Sequence, residues 1–147
     1  MPRMRKISGR IVSGAGKATF FTQLDWVREQ SLDKLGFIPY PGTLNLKVSE
    51  DDISALEALQ KSYKGVCLIP PDPQFCEARV WPVCVSKVSG ALIIPAEDVR
   101  IHGRHVIEIL CPVRIKDVLS VDDGDLLTVE FDETGVCPHV PSPSGSC

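Results

Sequence analysis

One short run constrains this chain more than any other. From Thr43 to Val48 the residues alternate strictly, with Leu44, Leu46 and Val48 on one face and Thr43, Asn45 and Lys47 on the other. Side chains on a strand point to opposite sides at each step, so this run specifies a β-strand with one buried and one wet face. The preceding stretch, Phe37-Ile38-Pro39-Tyr40-Pro41-Gly42, carries two prolines. They exclude a helix and predict an extended loop feeding the strand. A half-buried strand needs partners, and the second half of the chain supplies them. Apolar runs at 66–69, 77–85, 91–94, 106–111 and 126–131 read as strands, separated by turns rich in Pro, Gly or Asp.

The first half adds a strand over 7–12, which runs into Ser13-Gly14-Ala15-Gly16-Lys17-Ala18. Residues 22–35 read as a helix, with Leu24, Val27, Leu32 and Leu35 near one face. Thr22 and Asp25 have capping-box spacing, and Gly36 is placed to end the helix. Ser49 is placed to cap a second helix through Tyr63, with Ile53, Leu56 and Leu59 as its buried stripe and Gly65 as its close. Asp51 and Asp52 in its first turn favour the helix dipole. Residues 112–119 hold one short helical turn, and Asp122-Asp123-Gly124-Asp125 is the clearest turn or hairpin signal. The expected fold class is mainly β with a few helices (α+β). It is a barrel-like core of about six strands with two helices inserted early. One domain over 7–132 is expected between a flexible N-terminus, 1–6, and a disordered tail, 133–147.

Composition removes several function classes. No run approaches the roughly 18–20 apolar residues of a membrane span, and no secretory n-region and h-region open the chain. The net charge is −3, whereas non-specific nucleic-acid binders carry a basic excess. Six cysteines invite a disulfide or zinc reading. Yet Cys67, Cys76, Cys84, Cys111, Cys137 and Cys147 form no CxxC pair, the nearest being eight and nine residues apart. Four lie in or beside apolar strands, where a thiol behaves as a small hydrophobe. All six are expected to be free thiols in a reducing cytoplasm.

Three places carry chemistry. Gly14-Ala15-Gly16 sits between a strand and a helix, where backbone amides can cradle phosphate, or where the chain simply turns. It is neither a Walker A loop nor a Rossmann fingerprint. Thr43 and Asn45 point the same way about 7 Å apart. Two such neutral oxygens suit Mg²⁺ held mainly by substrate phosphates, and equally a plain wet strand face. Glu108, inside Val106-Ile107-Glu108-Ile109-Leu110, lies on the wet face or aims into a site. Alternation puts it opposite Ile107, Ile109 and Cys111. His102 and His105 lack metal-type spacing and read as surface residues.

These residues fall within a larger pattern. Gly9-x-x-Val12-Ser13-Gly14-x-Gly16 and Leu35-Gly36-Phe37-x-Pro39-Tyr40-x-Gly42-Thr43-Leu44-Asn45-Leu46 resemble the archaeal CTP-dependent riboflavin kinases. Gly90-Ala91-Leu92-Ile93-Ile94-Pro95, Ile107-Glu108-Ile109-Leu110-Cys111-Pro112 and Leu119-Ser120-Val121-Asp122-Asp123-Gly124-Asp125 follow in the family's order. The resemblance spans residues 7–131. It implies a six-stranded cradle-loop barrel related to riboflavin synthase. The implied activity is γ-phosphoryl transfer from CTP to the riboflavin 5′-hydroxyl, with Mg²⁺ as cofactor.

By the same resemblance, Gly14, Ala15, Gly16, Lys17, Ala18 and Thr19 would wrap the nucleotide phosphates, and Val113, Arg114, Ile115 and Lys116 would line the cytidine nucleotide. Thr43 and Asn45 would hold the metal. Glu108 would act at the flavin, catalytically or by orienting it, with Arg100 standing near where a flavin-binding Thr is expected. Lys17 and Ala18 replace the family's acidic residue and third glycine, and the 96–105 segment is longer than usual. The expected partners are CTP and riboflavin, with no nucleic acid and no membrane, in the cytoplasm. Two alternatives follow: a phosphotransferase of altered acceptor or donor on the same barrel, and a non-catalytic nucleotide- or DNA-binding regulatory barrel. Only six residues precede the first expected strand, so the N-terminal winged-helix domain of some regulatory relatives is not expected.

Overall fold

The computed structural model describes residues 4–13, 17–62, 65–72, 78–95 and 106–132. In chain order they form β1 (Met4–Val12), α1 (Lys17–Thr22), α2 (Asp25–Leu35), β2 (Leu44–Val48), α3 (Glu50–Ser62), β3 (Val66–Leu68), β4 (Ala78–Val85), β5 (Val88–Pro95), β6 (Val106–Leu110), α4 (Ile115–Val118) and β7 (Leu126–Asp132). The fold is mainly β with few helices, as expected. Sheet order is β3-β4-β5-β6-β2-β1-β7, and β4 pairs again with β7 through Cys84↔Glu130 and Val85↔Val129. Every pairing is antiparallel. The second β4 contact closes six strands into a ring and leaves β3 outside it.

Strand alternation fills the ring. Ile7 and Ile11, Leu44 and Leu46, Val83 and Val85, Leu92, Ile107 and Ile109, and Val129 and Phe131 share one buried cluster. Each of the six ring strands contributes to it. Ile53, Leu56 and Leu59 of α3 and Ile115 of α4 complete this cluster. A second cluster lies on the outer face, where Val27 and Leu35 of α2 cover Val66, Leu68, Ala78, Val80, Ala91 and Leu110. Two glycines permit the tight weave. A Cβ on Gly9 would stand 2.9 Å from Leu46 Cβ and Val48 Cγ1, and one on Gly90 would stand 2.8 Å from the Leu110 carbonyl. Any larger residue there would have to push strands apart.

Several expectations needed correction. β1 starts at Met4, so residues 4–6 pair with β7 rather than preceding the first strand. The single helix expected over 22–35 is two helices, broken at Gln23 and Leu24. Thr22 Oγ1 does not cap α2. It donates to Thr19 O and accepts from Gly42 N. Ser31 rather than Leu32 is buried, and Leu32 is 53% exposed. The second helix is as expected: Ser49 Oγ accepts from Asp52 N, and Ile53, Leu56 and Leu59 are buried. Gly36 ends α2 in the left-handed region, its N–H reaching Leu32 O and Ser31 O. β5 starts at Val88, earlier than residue 91, because Ser86 and Lys87 form a tight turn with φ of 45° and 74°. Both central residues at positive φ make a type I′-like hairpin, which matches strand twist even without glycine.

On the outer edge of β3 the amide of Gln30 bonds twice to Ile69, accepting from its N–H at 2.7 Å and donating to its carbonyl. Lys34 Nζ adds a bond to Cys67 O at 2.6 Å. No described helix is long and apolar enough to cross a membrane. Residues 133–147, expected as a disordered tail, lie outside the described residues.

The thiol expectation also fails. Cys67 and Cys84 are disulfide-bonded, whereas Cys111 is a free, buried thiol. Cys67 pairs with Arg79, five residues from Cys84 along β4. That places the two about 17 Å apart, far beyond disulfide reach. Cys67 and Cys84 are therefore not bonded to each other. Disulfides are uncommon where thiols are kept reduced, so the cysteines do not support a cytoplasmic location. Titration in denaturant without reductant should find fewer than six free thiols per chain, and six after reduction. Cys111 should be among the free ones, and burial pushes its pKa up to about 12. It should resist alkylation until the protein unfolds.

Candidate active site

Three connections meet at one end of the ring because neighbouring strands run antiparallel. Ser13 leaves β1, the 37–43 loop enters β2, and residues 111–114 leave β6. Register ties them together: Val12 pairs with Asn45, Asn45 with Glu108, and Glu108 with Ile93. A single row thus crosses four strands. The buried faces of β2 and β6 carry Leu44, Leu46, Ile107 and Ile109, so Asn45 and Glu108 stand on the outer face. Both are half-buried, as is Thr43. The alternation of these strands and the β2–β6 register place Thr43, Asn45 and Glu108 together.

Their hydrogen bonds define what the cluster can hold. Thr43 Oγ1 donates to Glu108 Oε1 at 2.9 Å, and Asn45 Nδ2 donates to Thr43 O at 3.3 Å. Thr43 spends its hydroxyl hydrogen and Asn45 one of its two amide hydrogens inside the cluster. What remains is oxygen lone pairs on Thr43 Oγ1, Asn45 Oδ1 and the second Glu108 oxygen, with one Asn45 N–H beside them. Hard oxygens of low total charge suit a magnesium ion that takes its remaining ligands from phosphate and water. Among the described residues no group of three or more His, Cys, Asp or Glu could hold a metal. The donor set therefore fits a substrate-borne Mg²⁺ better than an all-protein cage.

The loop before β2 is anchored at both ends. Gly42 N donates to Thr22 Oγ1 at 2.8 Å, and Tyr40 N donates to Cys111 O at 2.7 Å. These bonds fix Thr43 relative to α1 and to the exit of β6. Thr22 is the signal that sequence reasoning missed, having been assigned to a helix cap. It is 1% exposed, and a threonine buried so deeply needs a polar partner.

The other site candidates divide. Gly14, Ala15, Gly16 and Arg100 lie outside the described residues, as do His102 and His105. Lys17, Ala18 and Thr19 are the first turn of α1 rather than loop, and the Thr19 carbonyl accepts from Thr22 and Gln23 side chains. Of the 113–116 segment, Ile115 is 3% exposed and belongs to the ring interior. Its side chain cannot line a ligand, which corrects that expectation. Val113 packs against the same core. Arg114 is exposed and pairs with Asp117 at 2.6 Å. Lys116 Nζ lies 2.6 Å from Asp123 Oδ1. The Asp123 carboxyl also accepts from Ser13 Oγ. These bonds, Lys116 first, hold its pKa below the usual carboxylate range.

Comparison with known proteins shows the family. The model of the CTP-dependent riboflavin kinase family, described as the domain of unknown function DUF120, matches residues 11–131. A riboflavin kinase of Archaeoglobus fulgidus is 33% identical, over 85% of this chain and 54% of its own. One of Methanobrevibacter smithii is 32% identical, over 86% of this chain and 99% of its own. One of Pyrobaculum aerophilum is 31% identical, over 86% and 60%. The chain thus spans little more than half of the first and third relatives, and nearly all of the second.

The Thr22 anchor has a direct test. Thr22→Val keeps the shape but leaves the Gly42 N–H unpaired, so urea unfolding should show a loss of about 1–3 kcal/mol.

Proposed function

The chain belongs to the CTP-dependent riboflavin kinase family, and from that premise we propose that it transfers the γ-phosphoryl group of CTP to the 5′-hydroxyl of riboflavin. The observation that carries this reading is the Thr43–Asn45–Glu108 cluster, which keeps oxygen lone pairs for a ligand, one register step from the root of the glycine loop. The ring of six strands, with connections gathered at one end, supports a six-stranded cradle-loop barrel of the riboflavin-synthase type. The single domain is proposed to run from β1 to β7.

In this reading the bond between the riboflavin 5′-oxygen and the γ-phosphorus forms as the bond to the β,γ-bridging oxygen breaks, giving FMN and CDP. Little covalent work falls to the protein. It must align the hydroxyl with the leaving oxygen and balance phosphate charge. Thr43 and Asn45 would hold Mg²⁺, which when bound neutralises the β- and γ-phosphate oxygens. Residues 14–19 would face the phosphates. The backbone of 113–116, with the Arg114 and Lys116 side chains, would face the nucleotide. The two sides of the reaction have separate entries on β6, since 96–105 leads into Val106 and 111–116 leads away from Leu110. Glu108 stands between them. Its first oxygen is engaged by Thr43, and its second has no partner among the described residues. That oxygen would orient the riboflavin hydroxyl or take its proton, with Arg100 on the flavin side. A cytoplasmic location rests here on the substrates rather than on the cysteines.

The test is direct. The protein is incubated with riboflavin, Mg²⁺ and each of CTP, ATP, GTP and UTP, and FMN is resolved by chromatography. FMN should form with CTP and far less with ATP, because a site shaped to a pyrimidine rejects a purine by size. Equal or better transfer from ATP would overturn the donor. Normal CTP binding with no FMN would overturn the acceptor. Asn45→Ala should cut transfer at least about 100-fold without lowering Tm. Glu108→Gln separates the two roles of Glu108. A positioning role survives the loss of charge, and a base role does not.

A further inference from the structure

The turn between α4 and β7 is built more firmly than a connection requires. Gly124 N donates to Ile11 O at 2.8 Å, and Ile11 N donates to Asp125 O at 2.9 Å. Arg10 Nη1 donates to Gly124 O at 3.0 Å, and Asp122 N to Asp125 Oδ2 at 2.8 Å. The turn is thereby locked to the last residues of β1. Asp123 projects from it and uses both carboxylate oxygens, Oδ2 for the Ser13 hydroxyl and Oδ1 for the Lys116 ammonium. Ser13 is the last residue before the glycine loop, and Lys116 is the last of the nucleotide-facing segment. These two points are 103 residues apart in sequence, and one carboxylate joins them.

We propose that Asp123 is a positioning residue for the nucleotide, fixing the root of the glycine loop and the Lys116 ammonium in one geometry so that both face the same phosphates. The inference rests on the proposed CTP site and adds a residue that touches neither substrate. Charge alone predicts the opposite sign. Asp122, Asp123 and Asp125 crowd one turn, and a nucleotide polyphosphate approaching them is repelled. Were Asp123 only a surface acid, its removal would relieve that repulsion and tighten binding. As a clamp its removal weakens binding, because Lys116 then swings on a four-carbon stem and Ser13 loses its anchor.

The experiment compares Asp123→Ala, Asp123→Asn and Ser13→Ala with the wild-type chain. CDP binding with Mg²⁺ is measured by calorimetry, and KM is measured separately for CTP and riboflavin. Asp123→Ala should raise the CDP Kd and the CTP KM about tenfold, with riboflavin KM, kcat and Tm within error of wild type. Asp123→Asn keeps two polar atoms in the same place and should recover most of the loss. Ser13→Ala should cost less, and nothing further when added to Asp123→Ala. Unchanged or tighter CDP binding by Asp123→Ala would overturn the proposal, as would an equal rise in both KM values or a drop in Tm that accounts for the loss. A wild-type chain that binds no CDP would overturn the CTP reading itself. Wild-type binding with an indifferent Asp123→Ala would overturn this inference alone.

Discussion

The two-residue contact between β4 and β7 holds the rest of the structure in place. β4 divides one of its edges, giving Ala78 to Val80 to β3 and Cys84 and Val85 to β7. Without the second contact the sheet would be an open ribbon, and its inner side chains would have no opposite wall. With it, the apolar faces of six strands meet in one cluster around Phe131, Leu46 and Ile109. Closure demands close approach, and that is supplied where Gly9 lies under Leu46 and Val48 and where Gly90 lies against Leu110. The helices then take positions that the ring leaves open, α3 against its interior cluster and α2 on its outer face.

The candidate site follows from that closure. Thr43, Asn45 and Glu108 occupy outer-face positions of strands whose inner faces are committed to the core, so their side chains cannot retreat inward. β2 and β6 set their separation by backbone pairing, and the Thr43–Glu108 bond then fixes their orientation. A site on paired strands is held more rigidly than one on loops, which suits chemistry in which alignment is most of the work.

Much of this was legible in the sequence, and the reason is periodicity. Alternation in 43–48 and 106–110 gave the strands and their two faces, whereas the pairing that sets Asn45 beside Glu108 came only with the sheet register. Ser49 and Gly36 marked helix ends through local chemistry that needs no tertiary context. The failures share a cause. Thr22 binds Gly42, twenty residues away, and so its role depends on a contact that local spacing cannot encode. Ile115 sits beside two charged residues in sequence, yet the short α4 turns it inward. Ser86 and Lys87 adopt positive φ that neither residue advertises. Cysteine pairing depends on which strands become neighbours, and spacing along the chain does not reveal that.

The bonds from α2 to β3 have one more consequence. β3 has no strand partner on its outer side among the described residues, which leaves a row of peptide groups of the kind that recruits another chain. The carboxamide of Gln30 presents one acceptor and one donor to Ile69 with the polarity of a peptide group, and Lys34 takes the Cys67 carbonyl. Two side chains of a helix thus imitate the neighbour that the sheet lacks. They let the sheet end without inviting a second molecule to extend it at this edge, so a three-residue strand can stop there.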